Sequence, residues 1–224
     1  MQKGIIILLL CLFMVVPAAG KYPVTVHEIK KETSLQSIDI RYVSFKGLLS
    51  LNELLEKRVL QELKAHEEQA QNEYDSWAAQ DMPIECWPKF PFGFSVDYIL
   101  AQNNEDYVSG ILTFQVYGGG AHGCSYRVCF NYDVEKQKKL MLSHFISSKE
   151  ELEKLSNCCR EKLISEHALE RDEWLLDGTA PKMNNFAKFT FTKEALTVYF
   201  DEYQVCCYAL GAPKVTITWR ELKA

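Results

Sequence analysis

Phe94-Ser95-Val96-Asp97-Tyr98-Ile99-Leu100-Ala101 is followed, after Asn103-Asn104-Glu105-Asp106, by an apolar run over residues 107–117. Both flanks are rich in β-branched and aromatic residues, and the middle is a cluster of turn formers. The stretch therefore predicts an antiparallel hairpin. The same signature recurs outward from it. Upstream, residues 22–29 and 38–43 alternate apolar and polar, as strands with one buried face do. Downstream, residues 124–132 read as a strand. Residues 189–191 and 196–200 form a second hairpin around Lys193-Glu194, and residues 215–219 close the chain as a strand. Two helical patterns interrupt this series. Ser50 stands three before Glu53, a capping box, and Leu51, Leu54, Leu55, Val59, Leu60 and Leu63 follow at helical spacing with a polar continuation through Glu73. Ser147 and Ser148 precede Glu150 and Glu151 in the same way, ahead of Leu152, Leu155, Cys159 and Leu163. Residues 168–176 suit a further short helix. Residues 81–93, with Pro83, Pro88, Pro91 and Gly93, suit a stiff loop. The prediction is α+β, a mainly antiparallel sheet built of hairpins and packed with two main helices.

Composition narrows the function classes. The chain has 224 residues, 47% of them hydrophobic and 25% charged, so it can bury a core and is neither fibrous nor disordered. A formal charge of −5 argues against a nucleic-acid coat, which needs clustered cations. Residues 1–20 differ from the rest: Lys3, an apolar run over 4–16, then Pro17-Ala18-Ala19-Gly20. That order describes a secretory signal peptide cut after Gly20, with Ala18 at the −3 position. The run is too short to span a bilayer comfortably, and no other stretch is apolar enough to cross one. Loss of Lys3 with the leader takes the charge to −6. The expected location is periplasmic or secreted.

Cys11 would leave with the leader, and Cys86, Cys124, Cys129, Cys158, Cys159, Cys206 and Cys207 would remain. In an oxidising compartment these are disulfide candidates, and an odd number leaves one thiol free or paired between chains. Cys158-Cys159 and Cys206-Cys207 are vicinal, and each pair is expected to reach elsewhere. No Cys-x-x-Cys is present and the histidines are scattered, so no metal and no cofactor is expected.

Gly118-Gly119-Gly120-Ala121-His122-Gly123 is the loudest local feature. No Gly-Lys-Ser/Thr follows it, and a strand rather than a helix comes next, so it is neither a phosphate loop nor a dinucleotide fingerprint. No Gly-x-Ser-x-Gly elbow exists, and His27-Glu28 and His66-Glu67 both lack the second histidine of a zinc-hydrolase helix. The glycines suit a tight turn between strands. His122 within that turn, with Ser125 three residues on, is a candidate recognition donor or base. Tyr199, Phe200, Tyr203, Tyr208 and Trp219 form an aromatic string that either fills a core or offers a stacking surface.

Two stretches together resemble a known domain. They are residues 117–123 with Phe130-Asn131-Tyr132-Asp133, and residues 196–205 with Tyr208-Ala209-Leu210-Gly211-Ala212-Pro213-Lys214-Val215. They resemble the exported bacterial domain of unknown function that forms the extracytoplasmic part of the RsiV anti-sigma factor. The upstream part, with Ile38-Asp39-Ile40-Arg41-Tyr42, the Leu-rich helix and the hairpin over 94–117, resembles the partner domain found in the PdaC deacetylase. The implied organisation is a leader over 1–20, a PdaC-like half over 21–115 and an RsiV-like half over 116–224. The resemblance implies binding rather than catalysis, since the deacetylase metal motif is missing. Its specific ligand would be lysozyme or another cationic protein, with peptidoglycan or another cell-wall component as the alternative. Tyr117, His122, Tyr203 and Tyr208 are the candidate binding residues. Two other readings stay open at this point: a small secreted hydrolase of esters or glycans using His122, and a structural envelope protein joined through its odd cysteine.

Overall fold

The computed structural model describes residues 20–80 and 92–223, together with the backbone of 14–16. The leader predicted over 1–20 lies almost wholly outside the described residues, as does most of the stiff loop predicted over 81–93. The chain is α+β with mainly antiparallel sheet. The strands are β1 (Met14–Val16), β2 (Val24–Glu32), β3 (Gln36–Phe45), β4 (Phe92–Asn103), β5 (Tyr107–Tyr117), β6 (Cys124–Asp133), β7 (Lys138–Lys139), β8 (Phe189–Phe191), β9 (Ala195–Tyr199) and β10 (Lys214–Thr218). The helices are α1 (Leu49–Ala79), α2 (Lys149–His167), α3 (Glu173–Gly178) and α4 (Trp219–Lys223). Strands β1 to β7 form one sheet in sequence order, and a smaller sheet runs β10-β9-β8. Strand β3 pairs with β4 in parallel, and α1 lies in the connection between them.

The chain divides into two compact units. One comprises residues 1–98 and 113–125, and the other 99–112 and 126–224. Strands β4, β5 and β6 each contribute residues to both.

In the first unit, β3 alternates buried Gln36, Ile38, Ile40 and Tyr42 with exposed Asp39 and Arg41, so one face of the sheet is dry and the other wet. Helix α1 covers the dry face with Leu51, Leu55, Val59, His66 and Ala70, spaced by four and seven residues. Each fully buried aliphatic of this set contributes about 1.5–3 kcal/mol. The helix begins differently from the capping box predicted at Ser50. Its N-cap is Leu48, without a side-chain cap. Asn52 does the anchoring instead: its Oδ1 accepts from Phe45 N at 2.7 Å and its Nδ2 donates to Phe45 O at 2.9 Å. The first turn is thereby tied to the end of β3, a contact that helical spacing does not reveal.

His66 is buried to 5% exposure and stacked on Phe94, ring centroids 5.1 Å apart, and its Nε2 lacks a hydrogen-bond partner. Burial holds its pKa below the ordinary 6.5, as it does for His27. The unfolded chain therefore binds a proton more readily than the folded one. The contribution of these buried neutral histidines to stability is full above the unfolded value of about 6.5 and is lost as pH falls through their lowered folded values. His66→Phe, which keeps the ring stack, is expected to flatten the fall of the melting midpoint between neutral and mildly acidic pH. A melting curve whose pH dependence is unchanged in this variant would assign the acid sensitivity elsewhere.

In the second unit, α2 starts as predicted. Ser148 Oγ accepts from Glu151 N at 3.1 Å while Glu151 reaches back to Ser148 N at 3.2 Å. Leu155, Cys159 and Leu163 on this helix join Phe189, Phe191, Leu196, Val198, Val215 and Ile217 of the small sheet in one core. The strand predicted over 215–219 stops at Thr218, and Trp219 opens α4. The short helix predicted over 168–176 begins later, at Glu173. Asp172 caps it, its Oδ1 accepting from Leu175 N at 2.8 Å. Ala168 instead takes a left-handed conformation that ends α2.

Cys124, Cys129, Cys158, Cys159, Cys206 and Cys207 are free thiols, and Cys86 lies outside the described residues. The disulfides predicted from the odd cysteine set are thus not formed among the described residues. Cys159 packs as a small hydrophobe in the α2 core, and Cys206 places its Sγ 3.6 Å from Gly211 O. Burial pushes the Cys129 thiol up to about 12, and that of Cys159 far above its ordinary value. Neither is a thiolate nucleophile at neutral pH.

Candidate functional site

The aromatic string splits once folded. Tyr199 and Phe200 are buried, and Trp219 stacks on Phe145 while its Nε1 donates to Thr192 O at 2.9 Å. These three are core. Tyr203 and Tyr208 remain at the surface, ring centroids 5.9 Å apart and nearly parallel at 28°. Trp174 of α3 adds a third ring against Tyr203, at 6.4 Å and 12°. Its Nε1 donates to Tyr203 O at 2.6 Å. Trp174 is 40% exposed and Tyr203 51%, and Leu176 and Leu210 are exposed at 41% and 61%. Three rings in contact at the surface, beside exposed Leu176 and Leu210 in sequence, are the kind of apolar feature that marks an interaction site.

The loop that carries Tyr203 and Tyr208 is held from several sides. Arg127 of β6 donates from Nη1 to Phe200 O at 3.2 Å and from Nη2 to Ala212 O at 2.9 Å, so one guanidinium ties both ends of the loop. The same group lies 5.7 Å from the centre of the Tyr199 ring. Gln204 Nε2 donates to Gly178 O and Asn185 O, while its Oε1 accepts from Asp201 N at 3.0 Å. Lys188 pairs with Asp201 at 2.7 Å. Within this frame Tyr203 takes φ 64°, a left-handed backbone that a bulky residue adopts only when its surroundings impose it. The rings are therefore presented on a braced loop rather than a floppy one, which lowers the entropic cost of using them.

Acids flank the rings in sequence: Asp172 and Glu173 precede Trp174, Asp177 follows it by three, and Asp201 and Glu202 precede Tyr203. Of these Asp201 is paired with Lys188, while Arg171 pairs with Glu161. The segments that carry the rings thus hold more acids than bases.

The other two candidates lie in the first unit. Tyr117 ends β5 and His122 is exposed in the glycine turn, where its Nδ1 donates to Gly123 O at 2.8 Å. Gly119 takes φ 85° there, which explains one of the glycines of the run. Among the described residues no group of three or more His, Cys, Asp or Glu could hold a metal ion. No helix of the described residues is long and apolar enough to cross a membrane. Trp174 and Arg127 were not singled out by sequence reasoning. Trp174 sits alone among acids, and Arg127 looks like an ordinary strand cation until the loop folds over it.

An α+β chain with a braced aromatic surface, flanked by acids in sequence, is the class that the geometry defines. Comparison with known proteins gives its relatives. Residues 29–125 match the family described as deacetylase PdaC, and residues 144–220 match a protein family of unknown function, DUF3298. The chain carries these two segments in that order, as the resemblance in its sequence implied. Over 131 residues, 58% of the chain, it is 34% identical to the peptidoglycan-N-acetylmuramic acid deacetylase PdaC of Bacillus subtilis, of which it spans 28%. Two crystal structures share the fold. A DUF3298 family member from Bacteroides fragilis has TM-score 0.69 at 16% identity, with 91% of this chain and 93% of that one covered. A DUF3298 family protein from Pseudomonas aeruginosa has TM-score 0.62 at 18% identity and the same coverage.

Proposed function

We propose that this chain is an exported envelope protein that binds rather than catalyses, and that Trp174, Tyr203 and Tyr208 form its contact surface. The observation that carries this reading is the stacked triad, in which Tyr203 and Tyr208 sit on a loop braced by Arg127 and Gln204 and Trp174 sits on α3. Aromatic rings that are rigid and partly exposed are what protein interfaces use as anchors. The acids that flank the rings suit a cationic partner, which they would steer into place and select by charge. Lysozyme is the specific cationic protein that the RsiV-like resemblance implies, and it is the partner to test first. Export follows from the leader-like residues 1–20, and the cell-wall name of the Bacillus relative is in keeping with it.

Tyr203→Ala removes the middle ring of the triad. It is expected to weaken binding of lysozyme by about 30-fold, the effect of losing an anchor worth about 2 kcal/mol, with the melting midpoint little changed. Calorimetric titration of the wild-type and variant chains measures this. Equal affinities for the two would remove the triad from the interface.

A further inference from the structure

On one side of the large sheet β2 has only β1 beside it. That strand covers β2 over three residues, Val24, Thr25 and Val26, which stand opposite Val16, Val15 and Met14. From His27 to Glu32 the outer side of β2 bears no strand among the described residues. β1 also falls inside the leader-like residues 1–20, so cleavage after Gly20 removes it and leaves all nine residues of β2 as an open edge. The N–H and C=O groups of an open edge are a template for another strand, and lysines on the edge ordinarily repel one.

We propose that the mature chain forms a twofold dimer in which β2 pairs antiparallel with β2 of a second copy, centred on Ile29. A twofold axis normal to the sheet brings residues of equal parity opposite each other, and charge then sets the register. Centred on Glu28, Lys30 or Lys31, the strand would meet its own like charge on the axis. Centred on His27, it would set Lys30 against Val24. Centred on Ile29, Glu28 of each copy faces Lys30 of the other, so the attractive pair occurs twice, and half-buried Ile29 covers its counterpart. The pairing also continues a pattern already built within the chain. On this face Glu28 stands opposite Arg41 of β3, and Lys30 opposite Asp39. Arg41 Nη2 donates to Asp97 Oδ2 at 2.7 Å, and Lys30 Nζ lies 3.8 Å from Asp39 Oδ1. Across the axis the row reads Asp97, Arg41 and Glu28, then Lys30 and Asp39 of the second copy, with the sign alternating at every step. The edge is therefore charged against foreign strands and complementary to itself. Such an interface is isologous and closes at two copies. It uses no residue of the aromatic triad, and it rests on the export reading only for the removal of β1.

Sedimentation velocity of the chain recovered after export, with its N-terminus read by intact mass, tests this. A chain beginning at Lys21 is expected to pass from one copy to two with a dissociation constant of about 10–100 µM, as suits an interface at the small end of the range. Glu28→Lys and Lys30→Glu each set like charges together on both sides of the axis, and each is expected to weaken the dimer about tenfold or more. Mixed in equal amounts, the two variants are expected to pair with each other, because each supplies the charge that the other has lost. A misfolded variant would not be rescued in this way. A single-copy mass throughout this concentration range would overturn the inference, as would a dimer that both variants leave intact. A chain recovered with residues 1–20 still attached would overturn the leader reading, and with β1 in place the pairing as well.

Discussion

Gly178→Ala is expected to lower the melting midpoint by about 10 °C and to abolish binding at the aromatic triad. Gly178 ends α3, directly beneath the loop that carries Tyr203. A methyl group placed there would overlap the carbonyl oxygen of Gln204 and lie 2.8 Å from both Gln204 C and Val205 Cγ1. Two of these three neighbours are backbone atoms, which cannot turn aside as a long side chain can. The overlap costs about 3 kcal/mol, the upper end for overpacking, and at this chain length that is roughly 10 °C. The loop is the softer partner and moves. With it goes the Gln204 contact to Gly178 O, and Tyr203 leaves its place beside Trp174. A variant that melts like the wild type and still binds would show that loop and helix are not tightly seated.

Asn131→Ala is expected to cost about 3 kcal/mol through a different route. Asn131 is 3% exposed, its Oδ1 accepts from Ser109 Oγ at 2.7 Å, and its Nδ2 donates to Phe189 O at 2.8 Å. Ser109 Oγ in turn accepts from Phe191 N at 3.0 Å. This buried relay joins β5 and β6 to β8. Removing the amide leaves a hydroxyl and a carbonyl short of a partner, each at about 1–3 kcal/mol, and opens a small void. Because the members act as a unit, the double variant Ser109→Ala with Asn131→Ala should cost less than the sum of the two single changes. Chemical denaturation of the four chains measures the coupling. Strict additivity would show that the two residues contribute independently.

Much of the fold was legible because each hairpin announces itself locally. The flanks of Asn103-Asn104-Glu105-Asp106 became β4 and β5. Asn104 Oδ1 accepts from Asp106 N and Tyr107 N in the turn, as the residue types predict. The alternation along β3 told which residues face the helix. What was not legible depends on contacts far apart in sequence. The parallel pairing of β3 with β4 joins strands that α1 separates in the chain, and the bracing of the 200–213 loop by Arg127 spans more than seventy residues. Of the four candidate binding residues, the structure brings Tyr203 and Tyr208 into ring contact and places Tyr117 and His122 in the other unit. The partner of the tyrosine pair, Trp174, carries no sequence signal because nothing around it repeats. The predicted disulfides came from the cysteine number and the oxidising compartment that the leader implies, neither of which says which thiols face a core.

The central claim is that the acid-flanked triad binds a cationic protein, and the most direct measurement is calorimetric titration of the chain lacking residues 1–20 with hen lysozyme. The experiment is run at low and at physiological salt. A defined stoichiometric complex that persists at physiological salt, weakened but not lost as the steering charges are screened, is the predicted result. Heat that is absent at both salt concentrations, or present only at low salt, would contradict it.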